Sequence, residues 1–426
     1  MSSEDLTVGY CTNVHAGIDL PAIQANLDQY AVAVRDHLLQ DASDTTAGLR
    51  PDQPLGVGLW IPDAASRELA GGTAAVDFAS FLQDRQLNAF TINGFPFDNF
   101  HQDVVKHRVY LPTWGHRERL EYTQRLADIL CKILPDSQAV GSISTLPIGW
   151  PHNPNDDSGI SAAADLHERA GGHLREMADY LAGLESRTGR RIVVAIEPEP
   201  GCVLDTTDDV IEFFDRHLPD KNHRRYLTVC HDVCHAAVMM ERQAEVIGRF
   251  AAAGIGIGKV QVSSAIVAMW QSMSVGRRAE ALEQLAKFAE DRYLHQTGRR
   301  DIDGQFSLAE DLPELIRQAR EIPPESFGDD RWVVHFHVPI FLERFGHLTT
   351  SHDDVRECLR TLIGDRGSKS ESEFTAAEFT GHLEVETYAW TVLPDTMRKR
   401  ALADDIAGEI QWLTEVIATC CRGQHD

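Results

Sequence analysis

The chain is 426 residues long, 43% hydrophobic and 25% charged, a balance that supports a sizeable buried core and excludes wholesale disorder. Forty Lys and Arg against 65 Asp and Glu leave a formal charge of −25, so phosphate backbones and anionic membranes meet a repulsive average field and no nucleic-acid partner is expected. That length admits one large α/β barrel with insertions or two smaller domains.

The opening residues, MSSEDLTVGY, hold no cationic segment followed by an apolar stretch. No later run approaches the roughly 18 apolar residues of a membrane span, and a cytoplasmic protein is predicted. Eight cysteines (Cys11, Cys131, Cys202, Cys230, Cys234, Cys358, Cys420 and Cys421) are too thinly spread for a small disulfide framework, and reduced thiols are expected. Cys230 and Cys234 miss the CxxC spacing of a zinc knuckle.

In chain order, a strand is predicted at LTVGYCT from Leu6, followed by a helix through LPAIQANLDQYAVAVRDHLL. Strands follow at LGVGLWI from Leu55 and NAFTING from Asn88, then a helix at HRERLEYTQRLADILCKIL and a strand at AVGSIST from Ala139. A helix through AADLHERAGGHLREMADYLAGLES leads to the strands RIVVAIE from Arg191 and YLTVCHD from Tyr226, a helix at MERQAEVIGRFAAAG, and the strand IGKVQVS near Gly256. Short β-rich runs alternating with amphipathic segments are the cadence of repeated β/α units around a parallel sheet. After Ser264 the rhythm changes: a helical stretch runs through Phe288, and RYLHQTGRRDIDGQFSL reads as a hairpin within an insertion. RWVVHFHVPIF from Arg331 and HLEVETYAW from His382 are two further strand candidates, GSKSESEF near Gly367 reads as a flexible loop, and a terminal helix is expected from about Pro394. That makes nine candidates where an eight-stranded barrel takes eight, so one of them is expected to lie in the insertion or the register after Gln261 to be shifted.

In a parallel barrel the site gathers at the carboxyl ends of the strands. Glu197 ends one apolar run, Asp232 ends the next with His235 three residues on, and Glu384 and Glu386 lie on the last strand candidate. His335 and His337 alternate along RWVVHFHVPIF, so strand periodicity puts both rings on one face. A carboxylate after a strand ordinarily caps a helix or faces solvent, the reading given to Glu199, Asp205 and Asp208, and His231 is read as structural. Acids and imidazoles ending successive strands of an apolar sheet instead call for pairing or a cation, and this donor set suits divalent Mn, Zn, Co or Fe.

Glu197, the DxxH pattern of Asp232 and His235, and a carboxylate on the final strand resemble the metal positions of the xylose isomerase-like barrel superfamily, whose members include sugar isomerases and epimerases and the endonuclease IV group. Nearly end to end, the runs GYCTNVHAG, TINGFPFDNFH, VHFHVPIF and HLEVETYAWTVLP look like the EboE-type metabolite traffic proteins. The resemblance implies a single xylose isomerase-like (β/α)8 TIM barrel over residues 1–426, with an insertion around 266–380 before the last strand. It also implies a secondary-metabolite pathway and a prenyltransferase-like membrane partner. Where the superfamily's seventh strand ends in a metal-binding His, this chain has Gln261, and His337 is the expected substitute. The ligand set so implied is Glu197, Asp232, His337 and Glu386, with His235 and Gln261 as further metal candidates and Glu384 as the alternative to Glu386. Glu197 and Glu386 are the acid/base candidates.

Asn13, His15, Trp60, Asn93 and His335 are the expected contacts to a small hydroxylated metabolite, with Phe95, Ser144 and Thr145 nearby and His101, Lys106 and Tyr110 on a loop that reads as plain surface. Isomerase- or epimerase-like chemistry is the leading expectation, ahead of metal-assisted hydrolysis and of endonuclease IV-like cleavage. The non-enzymatic reading is a carrier that hands a metabolite to the membrane partner.

Overall fold

In the computed structural model, which describes residues 5–41, 49–156, 158, 163–364, 379–387 and 401–422, eight parallel strands close on themselves. They are β1 (Thr7–Cys11), β2 (Leu55–Trp60), β3 (Leu87–Asn93), β4 (Val140–Thr145), β5 (Arg191–Ile196), β6 (Leu227–Asp232), β7 (Ile257–Val262) and, after a long excursion, the last strand His382–Val385, which pairs with β7 on one side and β1 on the other. Helices outside and side chains inside cover both faces of each strand, so Leu55–Trp60 is buried at every position and reads as a continuous apolar run. Helices follow the strands in turn, and the terminal helix Leu402–Arg422 packs beside Val32–Asp41 to close the outer ring. The architecture is a (β/α)8 barrel.

The excursion between the seventh and last barrel strands carries β8 (Ile266–Met269), β9 (Thr297–Asp301), β10 (Phe306–Ala309), β11 (Asp329–Val334), β12 (Arg344–Phe345) and β13 (Leu348–Thr350). These form a second, antiparallel sheet in the order β10-β9-β11-β8-β13-β12, and His352–Ile363 then supplies the crossover helix to the last barrel strand, β14. RWVVHFHVPIF therefore contributes β11 to this second sheet, which leaves eight strands for the barrel. β8 was not among the strand candidates: four apolar residues, IVAM, carry too little periodicity to separate a strand from a helix start. The hairpin expected within RYLHQTGRRDIDGQFSL is β9 with β10. The GSKSESEF loop, residues 388–390 and the expected helix start near Pro394 lie outside the described residues.

One departure from the strand reading matters for the site. β11 ends at Val334, before His335, because the chain leaves its sheet neighbours there. It is pinned instead by His335 N–H donating to the Gln296 carbonyl (2.8 Å) and Val338 N–H donating to the Ser264 carbonyl (2.9 Å), just past the end of β7. That tether carries both imidazoles over the barrel mouth.

Inside the barrel, the Lys259 ammonium lies 2.5 Å from the Glu384 carboxylate, both fully buried. Gly58 on β2 makes room for that pair: a Cβ there would sit 1.3 Å from Glu384 Oε1 and 2.4 Å from its Cδ. Because Lys259 holds the carboxylate, Gly58→Ala is expected to lower the unfolding free energy by about 1–3 kcal/mol, the usual range for overpacking. Urea melts of both proteins would check this, and equal midpoints would mean that Glu384 swings aside freely.

Candidate metal centre at the barrel mouth

Three carboxylates arrive from three different strands. Glu197 follows β5, Asp232 ends β6 and Glu386 follows β14, and one oxygen of each lies within 4.8 Å of the other two. Asp232 is the N-cap of the helix Val233–Val238, and its Oδ1 accepts from the His235 backbone N–H (2.9 Å) and from the Ser263 hydroxyl (2.8 Å). Glu386 Oε1 accepts from the side-chain amides of Asn13 (2.6 Å) and Asn93 (2.9 Å). Glu197 Oε2 and Asp232 Oδ2 are buried without a hydrogen-bond partner among the described residues.

Electrostatically this is an unfavourable assembly. Burial, then the Glu386 and Asp232 charges, pushes the Glu197 carboxyl well above its ordinary range. Burial, then Asp232 and Glu384, does the same to Glu386. Asp232 goes the other way: burial pushes it up, but His235, His337 and its two hydrogen bonds outweigh that and hold it down. Three acids this close, two of them pushed up by burial and by their neighbours' charge, are the arrangement expected where a cation or a functional site holds them together.

Three imidazoles converge from the side. His337 Nδ1 lies 2.8 Å from the Glu386 carbonyl and His235 Nδ1 lies 2.8 Å from the Pro198 carbonyl. A carbonyl only accepts, so each Nδ1 bears the hydrogen and each Nε2 faces inward, 3.8 Å (His337) and 3.9 Å (His235) from Asp232 Oδ2. Such backbone-anchored rings are how proteins orient imidazole ligands. Cys234, His335 and His337 also offer one atom each within 4.8 Å of one another.

Glu199 corrects the reading from sequence. It is no surface cap: it is buried and lines the mouth cavity, its Oε1 accepting from the Tyr110 hydroxyl (2.6 Å) and the Gln296 amide (3.2 Å). Tyr110, read as surface, is buried too. What hid both is that Gln296 belongs to the insertion, which no local pattern connects to β5.

Asn13, Asn93, Glu197, His235, His335, His337 and Glu386 all border one mouth cavity of ≈ 80 Å³. Others of the expected site residues do not reach it. His15 stacks on Tyr30 at 4.3 Å and bonds the Tyr10 hydroxyl, and Trp60 donates its indole N–H to the Pro96 carbonyl while packing against Phe100. Gln261 is buried between Asp232 and Glu384 in the strand register, with neither amide atom hydrogen-bonded among the described residues. Glu384 is engaged by Lys259, one strand repeat below Glu386. Above the cavity, Val105 and Lys106 donate backbone N–H groups to the Arg292 carbonyl, and Lys106 pairs with Asp311, so the loop after β3 is clasped to the insertion. Phe95, Phe100, Tyr293 and Leu294 complete an apolar roof.

The donors fit a divalent cation: oxygens from three carboxylates, oriented imidazole nitrogens, and two buried carboxylate oxygens with no other partner. No helix among the described residues is long and apolar enough to cross a membrane.

No protein-family model matches the chain, and no curated protein matches it. Among solved structures it is similar to a xylose isomerase-like TIM barrel protein from Mycobacterium smegmatis in complex with magnesium (12% identity, 99% of each chain, TM-score 0.48). It is also similar to a probable 3-DHS dehydratase from Bacillus anthracis (12% identity, 96% of this chain and 99% of that one, TM-score 0.44). A third is the 3-keto-D-glucoside 4-epimerase of E. coli (12% identity, 60% of this chain and 79% of that one, TM-score 0.35).

Proposed function

We propose that this protein is a divalent-metal barrel of the EboE type that performs isomerase- or epimerase-like chemistry on a small hydroxylated metabolite of a secondary-metabolite pathway in the cytoplasm, alongside a prenyltransferase-like membrane partner; the alternative is a non-catalytic carrier that hands a precursor to that partner. The observation that supports this most is the convergence of Glu197, Asp232 and Glu386 from separate strands onto one buried point with two carboxylate oxygens unsatisfied. Residues that only needed burial would not be acidic there, since isolated buried charge is costly by several kcal/mol.

Glu197, Asp232 and Glu386, together with His337, would hold a cation, which would supply Lewis acidity toward a hydroxyl and carbonyl of the substrate. The remaining roles fall to the chain. Asn13 and Asn93 fix Glu386 by its Oε1, which leaves Oε2 to return a proton on one side of the substrate. Glu197, the other acid/base candidate, is the carboxylate to take a proton on the other side. Ser263 and the His235 backbone N–H keep Asp232 ionised and turned inward. Phe95, Phe100, Tyr110, Tyr293 and Leu294 exclude water, which protects an enediolate-like species from stray protonation.

The test measures metal in the purified chain by elemental analysis and solvent deuterium wash-in at carbon for a panel of small polyols, ketoses and cyclitols. About one equivalent of Mn, Zn, Co or Fe or more, lost in Glu197→Ala and Asp232→Ala while both variants stay folded, is expected together with wash-in for at least one compound. Metal retained by both variants would remove these ligands from consideration. Metal binding without any exchange would favour the carrier reading.

A further inference from the structure

A cavity of ≈ 640 Å³ opens at the end of the barrel away from the carboxylates. Arg191 begins β5, the short helix Lys221–Arg224 and Arg225 lead into β6, and Ile255 and Gly256 lead into β7, so its walls are the turns that enter three adjacent strands. Glu197 comes six residues after Arg191, which puts roughly 20 Å of strand between this cavity and the mouth. Its charge runs against that of the chain. Acids outnumber bases 65 to 40 overall, whereas Arg191, Lys221, Arg224 and Arg225 line this cavity against Asp215 alone. Turns at this end of a barrel ordinarily serve stability, and Arg224 does so: its Nε donates to the Leu218 carbonyl (2.9 Å), Nη1 to the Ala253 carbonyl (2.7 Å) and Nη2 to Asp215 (2.8 Å). Those bonds use three of five N–H groups and leave one on each Nη, in a side chain that is 12% exposed and already fixed in place. The nearby acids outside the lining are engaged elsewhere: Glu185 meets Arg225 (2.7 Å) and the Tyr226 hydroxyl (2.6 Å), and Asp220 accepts from the Asn222 backbone N–H (2.8 Å).

We propose that this cavity binds the phosphoryl group of a small soluble metabolite. Four cations around one concavity focus a positive potential inside an otherwise acidic field, and guanidinium forks match the spacing of phosphate oxygens. The volume falls within the roughly 300–1,000 Å³ of small-molecule sites and exceeds what a bare phosphate fills. Val193, Ala251 and Ile255, all buried and apolar, line the remainder, so an organic body accompanies the phosphoryl group. A concave site on a chain of charge −25 suits a soluble ligand better than a lipid headgroup, because the chain as a whole is repelled by an anionic membrane surface. Occupation ties together the turns before β5, β6 and β7, and a ligand bound only by the folded chain raises its melting temperature.

None of these residues belongs to the function proposed above, so the two readings fail independently. The full-length chain, freed of metal on a chelating resin, is titrated calorimetrically with inorganic pyrophosphate, and flotation with phosphatidic acid vesicles is run in parallel. One equivalent of pyrophosphate is expected, its affinity falling as added salt shortens the screening length. Lys221→Glu reverses a charge at the rim and is expected to weaken binding about tenfold or more, while Glu386→Gln, at the far end of the barrel, leaves it unchanged. Pyrophosphate should also raise the melting temperature of the wild type and leave that of Lys221→Glu in place. Absence of pyrophosphate binding to the wild type at millimolar concentration overturns the proposal. Equal affinity in the wild type and Lys221→Glu overturns the placement, as does binding that Glu386→Gln abolishes. Capture by vesicles without binding of free pyrophosphate overturns the soluble ligand. Should Lys221→Glu lose its native circular dichroism, Arg225→Gln serves in its place, with the same weakening expected and unchanged affinity again refuting the site.

Discussion

Glu386→Gln is expected to melt at a higher temperature than the wild type in the presence of EDTA at pH 8, and at a lower one when divalent cation is saturating. The first half follows from linkage. Burial and the neighbouring Asp232 raise the Glu386 carboxyl in the folded chain, so between its ordinary value and the raised one the folded state binds more protons than the unfolded state. Stability then falls as pH rises through that window, by up to roughly 1.4 kcal/mol for each pH unit. Gln keeps the oxygen that accepts from Asn13 and Asn93 and removes the titration, so a gain in stability is expected in metal-free protein at pH 8, shrinking toward zero near pH 4. The second half follows from mass action: a cation at 100 times its dissociation constant stabilises the folded chain by about 2.7 kcal/mol, and the Gln variant forgoes that contribution. Calorimetry with and without metal reads both signs at once. A Gln variant that is less stable in EDTA and responds to metal like the wild type would show that Glu386 is a structural hydrogen-bond acceptor and nothing more.

The second large effect is expected one strand repeat below. Lys259→Met leaves the Glu384 carboxylate fully buried with its countercharge gone, and a loss of about 3–5 kcal/mol is expected, as for other broken buried pairs. Burial alone would pull the Lys259 ammonium down, but the Glu384 charge outweighs it and holds the amine above its ordinary range. Removing both charges, in Lys259→Met with Glu384→Leu, is expected to recover most of the loss, because the desolvation of both ions disappears together. The double variant should nonetheless bind metal less tightly at a given pH, since Lys259 is the cation that offsets burial at Glu197 and Glu386. A double-mutant cycle in urea, with metal dissociation constants for each corner, separates the two roles. If the double variant is as unstable as Lys259→Met, packing and not charge governs this layer.

Much of the barrel is legible in one dimension because a strand buried on both faces must be apolar along its whole length, and RIVVAI or LGVGLW has few other readings. Glu197 and Asp232 are visible for the related reason that an acid ending such a run interrupts a pattern the core would otherwise continue. The nine strand candidates could not be resolved the same way. Whether RWVV pairs in the barrel or in the second sheet depends on neighbours far off in the chain, β9 more than thirty residues away and β8 more than sixty, and hydrophobic pattern carries no record of pairing partners.

Glu199 marks the boundary most clearly. Its sequence context, two residues past a strand among prolines, is that of a surface turn, yet Tyr110 from one loop and Gln296 from another bury it at the mouth. His15 shows the converse: ending a strand, it reads as a mouth residue, yet it stacks on Tyr30 and does not border the cavity, while Trp60 stands behind the cavity, bonded to Pro96 and packed on Phe100, which do line it.

From the order of residues alone came the alternation of strand and helix, the acidic charge, and the residue types that suit a divalent cation. These are local, set by which side chains a buried strand tolerates and which chemistry interrupts it. Only the folded chain decided which donors meet: closure of the barrel brings Glu386 beside Asn13 across its seam, and the excursion after β7 swings His335 and His337 over the mouth. Convergence of that kind depends on distances between segments far apart in the chain, and those distances exist only once the backbone hydrogen bonds and the core have set them.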